Sequence, residues 1–249
     1  MAEARTFYRP RVSITIGGRT VDSWLGLQVS SGAGFITATL DVLESDESPV
    51  GKAVTIRLDA GSGEELVFTG MVTDVESWPG KRRGILHPVV FRALDERVES
   101  ASWRQETSGN IAAEILESGN NPFTSNLTEW PDVELSRFSL HGGTRRCGLQ
   151  ALTRAVEQAA GVSISRVVGP DGVLYLGPLD RIRWTADAQV AVESGVNVIT
   201  RAGAIFHTHA LPVSYNQVVS VDNQDRLCTG AYLDIRPGYY RADLVLEAL

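Results

Sequence analysis

Cysteine is nearly missing from this chain: Cys147 and Cys228 are the two among 249 residues. They stand far apart and outside any paired motif, which excludes a disulfide framework and a cysteine-rich zinc site. Basic residues are outnumbered, with 23 Lys and Arg against 30 Asp and Glu and a net charge of −7. A duplex nucleic-acid binder normally carries a basic face that neutralises phosphates, so sequence-specific nucleic-acid recognition is not expected. No run approaches the roughly 18 consecutive apolar residues of a membrane helix, so membrane insertion is not expected either. Arg5 and Arg9 have no apolar stretch behind them of the kind a signal peptide needs, and the expectation is a protein made in the cytoplasm. Gly17-Gly18, Gly32-Ala33-Gly34 and Gly61-Ser62-Gly63 read as short turns, and none stands between a strand and a helix as a phosphate loop requires.

What is present is an ordinary globular composition, 43% hydrophobic and 21% charged. It is enough to bury a core in one large domain or in two to three small ones. Over residues 1–100 the apolar period is two. Val12, Ile14 and Ile16 alternate with polar residues up to the Gly17-Gly18 turn, as do Ile36, Ala38, Leu40 and Val42, and then Val54, Ile56 and Leu58. A longer run spans Leu66 to Val75 around Gly70, which reads as a bulge or bend, and Leu86 to Ala93 reads as a further strand. Residues 101–180 change period. Thr107-Ser108 caps a short helix bearing Ile111, Ala112, Ile115 and Leu116, with Gly119 and Pro122 beyond its end. Thr144 to Ala160 is the strongest helix, with Leu149, Leu152, Val156 and Ala159 on one face and Gly161 at its C-terminus. That stripe is expected to pack on the hairpin that follows, whose turn is Gly169-Pro170-Asp171-Gly172. Residues 181–249 return to strands over Val196–Arg201, Ala204–His209, Gln217–Val221, Ala231–Ile235 and Leu244–Leu246. No internal repeat is visible. The fold class is mainly β with a small α/β region, and the β segments are able to form two similar modules or one module with an insertion.

The candidate chemical sites are thin. Cys147 falls in the first turn of the strong helix, where the dipole and free N–H groups favour a thiolate, and His207 and His209 lie on a later strand. This layout resembles NlpC/P60-like peptidases, but the Asp-Cys-Ser run of that family is replaced by Arg146-Cys147-Gly148. Cys147 is therefore read as a semi-buried structural residue beside Leu149, and no catalytic residue is assigned. His207 and His209 share one face of a strand, yet a metal would need a third ligand from His141, Cys228 or a symmetry mate; no metal or cofactor is assigned. Glu44, Asp46 and Glu47 read as a solvated loop, and Glu64-Glu65 has no partner acid. The tryptophans Trp24, Trp78, Trp103, Trp130 and Trp184 are dispersed and read as core or interface anchors.

Short motifs in a fixed order carry a family resemblance. The strand Val12–Ile16 is followed by the stretch from Ser45 through Pro49 to Ile56, and then by Phe68-Thr69-Gly70-Met71-Val72. Downstream come the strong helix, Asp171-Gly172, Leu174-Tyr175-Leu176-Gly177 and Tyr215-Asn216-Gln217-Val218-Val219-Ser220-Val221. This order resembles phage tail baseplate hub proteins of the late-control-D type and the N-terminal region of VgrG, over about residues 10–235. The resemblance implies two tail-tube-like β-barrel or sandwich modules, 1–100 and 181–249, separated by an α/β insertion at 101–180. It implies a homotrimeric ring that joins the tail tube or a distal-tail protein to the central spike, with the tape-measure protein as a further partner. The location implied is the virion tail baseplate, assembled in the host cytoplasm. The chain ends soon after the return module, with no spike or lysozyme domain expected on it. The alternatives are a sixfold tail-tube or distal-tail protein, a tail-associated cysteine peptidase using Cys147, or a carbohydrate-binding β module with tryptophans on one face.

Overall fold

The computed structural model describes residues 10–43, 49–60, 63–118, 124–182, 190–194, 198–209 and 211–249. Glu44, Asp46, Glu47, Gly61, Ser62, Gly119, Pro122, Trp184 and the start of the strand expected at Val196 lie outside the described residues. Contacts divide the chain into two units: one drawn from Met1–Pro88, Gly169–Asp171 and Arg183–Leu249, the other from Val89–Val168 and Gly172–Ile182.

The first stretch contributes β1 (Arg11–Ile16), β2 (Arg19–Thr20), β3 (Trp24–Gly32), β4 (Phe35–Leu43), β5 (Ala53–Asp59), β6 (Glu64–Trp78) and β7 (Lys81–His87). Alternation sets the faces: Ile14, Val54, Ile56 and Leu58 are all buried, with polar neighbours outward. Gly17 and Gly18 both adopt positive φ, 57° and 79°, as the tight β1–β2 hairpin requires. Gly70 is not itself at a bulge; the register shifts of β6 fall between Leu66 and Phe68 and between Val72 and Asp74. A Cβ at Gly70 would instead run into the carbonyl of His87, so close backbone approach accounts for this glycine. The strand expected over Leu86–Ala93 stops at His87, because Pro88 offers no N–H to the ladder and its fixed φ suits the entry to a helix.

The second unit begins with that helix, α1 (Val89–Leu94), followed by β8 (Ala101–Thr107), α2 (Ser108–Glu117), β9 (Ser125–Asn126), β10 (Glu134–Leu140), α3 (Arg145–Ala160), β11 (Ser165–Val168) and β12 (Leu174–Gly177). Thr107 and Thr144 cap α2 and α3 by accepting the N–H of Asn110 and of Cys147, and Gly161 closes α3 at φ 68°. Arg145 is buried at 1% exposure and donates to the Ala93 and Ser118 carbonyls and to Glu96 Oε2 at 3.1 Å. One guanidinium thereby ties the ends of α1 and α2 to the start of α3. Leu149, Leu152 and Val156 are each fully buried, and α3 lies against α2 and α1.

The return stretch supplies β13 (Val190–Val192), β14 (Val198–Ala202), β15 (Ile205–Thr208), β16 (Val218–Val221), β17 (Gln224–Arg236) and β18 (Tyr239–Ala248). It joins the first stretch in one sheet, ordered β14-β15-β18-β17-β3-β4-β7-β6-β5-β1-β2, with β16 on β17 and β13 on β16. Within that order a repeat appears that the sequence hides. The path β3-β4-β7-β6-β5 has the same connectivity as β14-β15-β18-β17-β16. Bulges fall at matching places, Trp24/Gly26 with Val198/Thr200 and Val72/Asp74 with Cys228/Gly230. The loops before β5 and β16 match as well. Gly51 (φ 81°) donates to Val72 O while Val72 N–H reaches Lys52 O; Asn216 (φ 64°) donates to Cys228 O while Cys228 N–H reaches Gln217 O.

Helix α3 offers a direct check on packing in the second unit. Leu152→Ala should cost about 2–5 kcal/mol through the cavity it leaves, whereas exposed Gln150→Ala should stay within about 0.5 kcal/mol. Denaturant midpoints at constant slope measure both, and equal midpoints for Leu152→Ala and wild type would contradict this packing.

Candidate assembly interface

Strand β17 is longer than either partner on its open side. Its first part, Gln224 to Leu227, pairs with β16, and its second part, Ala231 to Ile235, pairs with β3 from Ser31 to Leu27. The junction is buried: Leu27 and Ile235 are at 0% exposure, Val29 and Leu233 at 6%. The Tyr215 N–H donates to Ser31 Oγ at 3.0 Å, which anchors the loop before β16 to the same strand.

The repeat leaves two further stretches of edge open, one in β6 and one in β14. In β6 the first part, Glu64 to Met71, pairs with β5, but Asp74 to Trp78 pairs only with β7 among the described residues. Strand β14 likewise pairs with β15 alone beyond Val198, whose N–H reaches Glu193 O and which bridges Ser194. Val75 is half-buried and Asp74, Glu76, Ser77 and Trp78 are exposed, in contrast with the buried Leu233, Asp234 and Ile235 of β17. Exposed aliphatic residues mark both first-strand bulges, Leu25 at 41% and Ile199 at 54%.

The solvent face around the junction is a lattice of opposed charges. Arg83 grips Asp41 through two N–H groups at 2.6 and 3.0 Å, Arg236 grips Asp234 at 3.2 and 3.0 Å, and Arg241 grips Asp243 at 2.6 and 3.0 Å. Opposite Asp243 stands His207, with Nδ1 2.7 Å from its Oδ1. The pair Asp41–Arg83 and the pair His207–Asp243 occupy the same place in the two repeats, with the carboxylate on the opposite strand of the pair. Gly26 leaves a notch of about 300 Å³ in this face, lined by Gln28, Asp41, Lys81, Arg83 and Arg236. Arg83 and Arg236 hold the Asp41 and Asp234 carboxylates, so Lys81 leaves the lining with one positive charge in excess.

The residues singled out from the sequence do not converge. Cys147 is exposed, not semi-buried, because its place in the first turn of α3 faces away from Leu149. Hydrogen bonds from Thr144 hold its thiol below the usual cysteine value. It belongs to the second unit, and the histidine pair belongs to the first. His207 is committed to Asp243, and His209 and His141 are exposed. Cys228 is buried, and burial pushes its thiol up to about 12. Among the described residues no three His, Cys, Asp or Glu side chains gather as a metal would need. Glu64 accepts from Ser13 Oγ at 2.6 Å at the start of β6. Trp130 is a core residue bound to Ser108 Oγ, Trp103 packs on Phe138 at 5.8 Å, Trp24 is half-buried, and Trp78 is exposed beneath Lys81 and Arg83.

No protein-family model matches the chain, and no curated protein does. Solved structures do. A tail protein from Neisseria meningitidis superposes with a TM-score of 0.68 at 11% identity, covering 97% of each chain. The 43 kDa tail protein of prophage MuSo2 from Shewanella oneidensis gives 0.64 at 12% identity, covering 97% of this chain and 98% of its own. An E. coli component of the type VI secretion system, described as similar to the T4 tail proteins gp27 and gp5, gives 0.59 at 13% identity, covering 95% and 76%. The chain therefore has the β-rich fold of phage tail proteins and their secretion-system counterparts.

The charge lattice is open to a pH test. Burial works against the Asp243 carboxylate, but hydrogen bonds from Arg241 and His207 win and hold its pKa below the ordinary carboxylate value. A depressed folded-state pKa contributes stability above the unfolded value near 4 and loses it as pH falls through the folded one. Between pH 6 and pH 3, wild type should lose up to about 1 kcal/mol more than Asp243→Asn in urea unfolding. Parallel curves for the two proteins would contradict the pairing.

Proposed function

We propose that this chain is the structural hub of a phage or phage-like tail baseplate or tail tip, acting as a trimeric ring and not as an enzyme. The observation that carries the reading is the repeat within one sheet. Two five-stranded modules of the same connectivity are joined side by side through β3 and β17, so three copies would set six similar modules around one axis. Such a ring offers matching surfaces to a sixfold tube on one side and a threefold spike on the other. The order of tail-hub motifs in the sequence supports the reading, and so does the likeness of fold to tail proteins over 97% of the chain.

On this reading the modules are tail-tube-like, and the second unit is the insertion between them. The partners are a tail-tube or distal-tail protein, the central spike and the tape-measure protein, and the place of action is the virion tail baseplate, reached by assembly in the host cytoplasm. The acidic balance suits a lumen past which nucleic acid must slide without sticking.

Mass measurement of assembled tail tips tests the stoichiometry. Three copies per particle are expected; six copies would replace this reading with that of a tube-like or distal-tail protein.

A further inference from the structure

Resting on the ring reading, the geometry points to one stretch of edge as the ring-closing surface and to one side chain that guards it. We propose that Asp74–Trp78 of β6 takes strand β14 of a second copy, and that the Asp74 carboxylate keeps this edge closed in the free chain.

The backbone decides which groups are open. A two-residue turn, Pro79-Gly80, separates Trp78 from Lys81, so that pair is hydrogen-bonded and the alternation runs back along the ribbon. The N–H and C=O groups of Ser77 and Val75 therefore point away from β7. The same count from Pro237-Gly238 points Ile235 and Leu233 away from β18, and these are residues that β3 pairs. On β14, counting from the turn Gly203-Ala204, Ala202 and Thr200 bond to β15 and Arg201 faces outward. Arg201 occupies the place in its repeat that Leu27 holds in β3, opposite Ile235. Among the described residues the chain thus contains one finished copy of the junction and the two halves of another, which do not meet within it.

The β6 half is guarded. The Val75 N–H donates to Asp74 Oδ1 at 2.8 Å, so a carboxylate fills the position that a pairing carbonyl would take. The bulge at Thr73 and the exposed Glu76 add to this guard, the devices by which open edges avoid indiscriminate pairing. The β17–β18 hairpin is two residues longer beyond its bulge, and counted from the bulge β17, already paired within the chain, has Gly230 and Ala231 where β6 has Asp74 and Val75.

Sedimentation velocity of the purified full chain over a concentration series tests this. Asp74→Ala should lower the concentration of half-association about fivefold, the worth of one exposed hydrogen bond no longer lost on pairing. Arg201→Pro and Ser77→Pro remove a donor that no described strand of the same copy uses, so each should abolish association in the Asp74→Ala background while leaving the melting temperature within a few degrees. If wild type is monomeric, Asp74→Ala is still expected to associate, and a variant monomeric at every concentration overturns the proposal. Association that survives both proline substitutions overturns it too. A trimer in tail tips that tolerates both prolines would sink this edge and leave the hub reading standing; absence of the chain from tail tips would sink the hub reading itself.

Discussion

The pairing of β17 with β3 is the constraint from which the rest of the first unit follows. Without it the chain would hold two short sheets, each with a long unpaired edge and one apolar face. With it, residues separated by some two hundred positions form a single sheet, and Leu27, Val29, Leu233 and Ile235 leave water together. Each such side chain contributes about 1.5–3 kcal/mol on full burial. The exposed ion pairs on the other face of the same strands contribute about 0–1 kcal/mol each. Stability at the junction therefore comes from the core face. The charged face has a different effect: it keeps a surface six strands wide hydrated.

A junction inside the chain is also a specification for junctions between chains. The β3 edge and the β17 edge fit because both bulges, both loops and both hairpins sit at matching places in the two modules. On the proposed ring reading, the closing edges are β14 and the far part of β6, which the internal junction leaves unused. Those two are shorter than β3 and β17, so a closing contact is weaker than the internal one.

Much of the fold was legible in the sequence, and the junction was not. Alternation found β1, β4, β5 and β16, and the caps at Thr107, Thr144 and Gly161 found α2 and α3, because each signal is local and written in side-chain type. Strand β3 was missed because Gly26, Gln28, Ser30, Ser31 and Gly32 dilute its alternation and a bulge at Leu25 shifts its phase. The repeat was missed because it lies in connectivity and backbone shape: Gly51 and Asn216 share a positive φ but not a side chain, and Asp41–Arg83 answers to His207–Asp243 with the carboxylate on the other strand. Sequence reasoning looked for a site in Cys147 and the histidines, whereas the candidate interface is made of backbone edges, which no residue type announces.

Amide hydrogen exchange, read residue by residue in the free chain and in the assembled tail tip, tests the central claim most directly. In the free chain Leu233 and Ile235 should exchange slowly, while Ser77 and Arg201 exchange at the rate of an open edge. In the assembly all four should be protected, as the external junction forms on the pattern of the internal one. Ser77 and Arg201 remaining fast in the assembled particle would contradict the account.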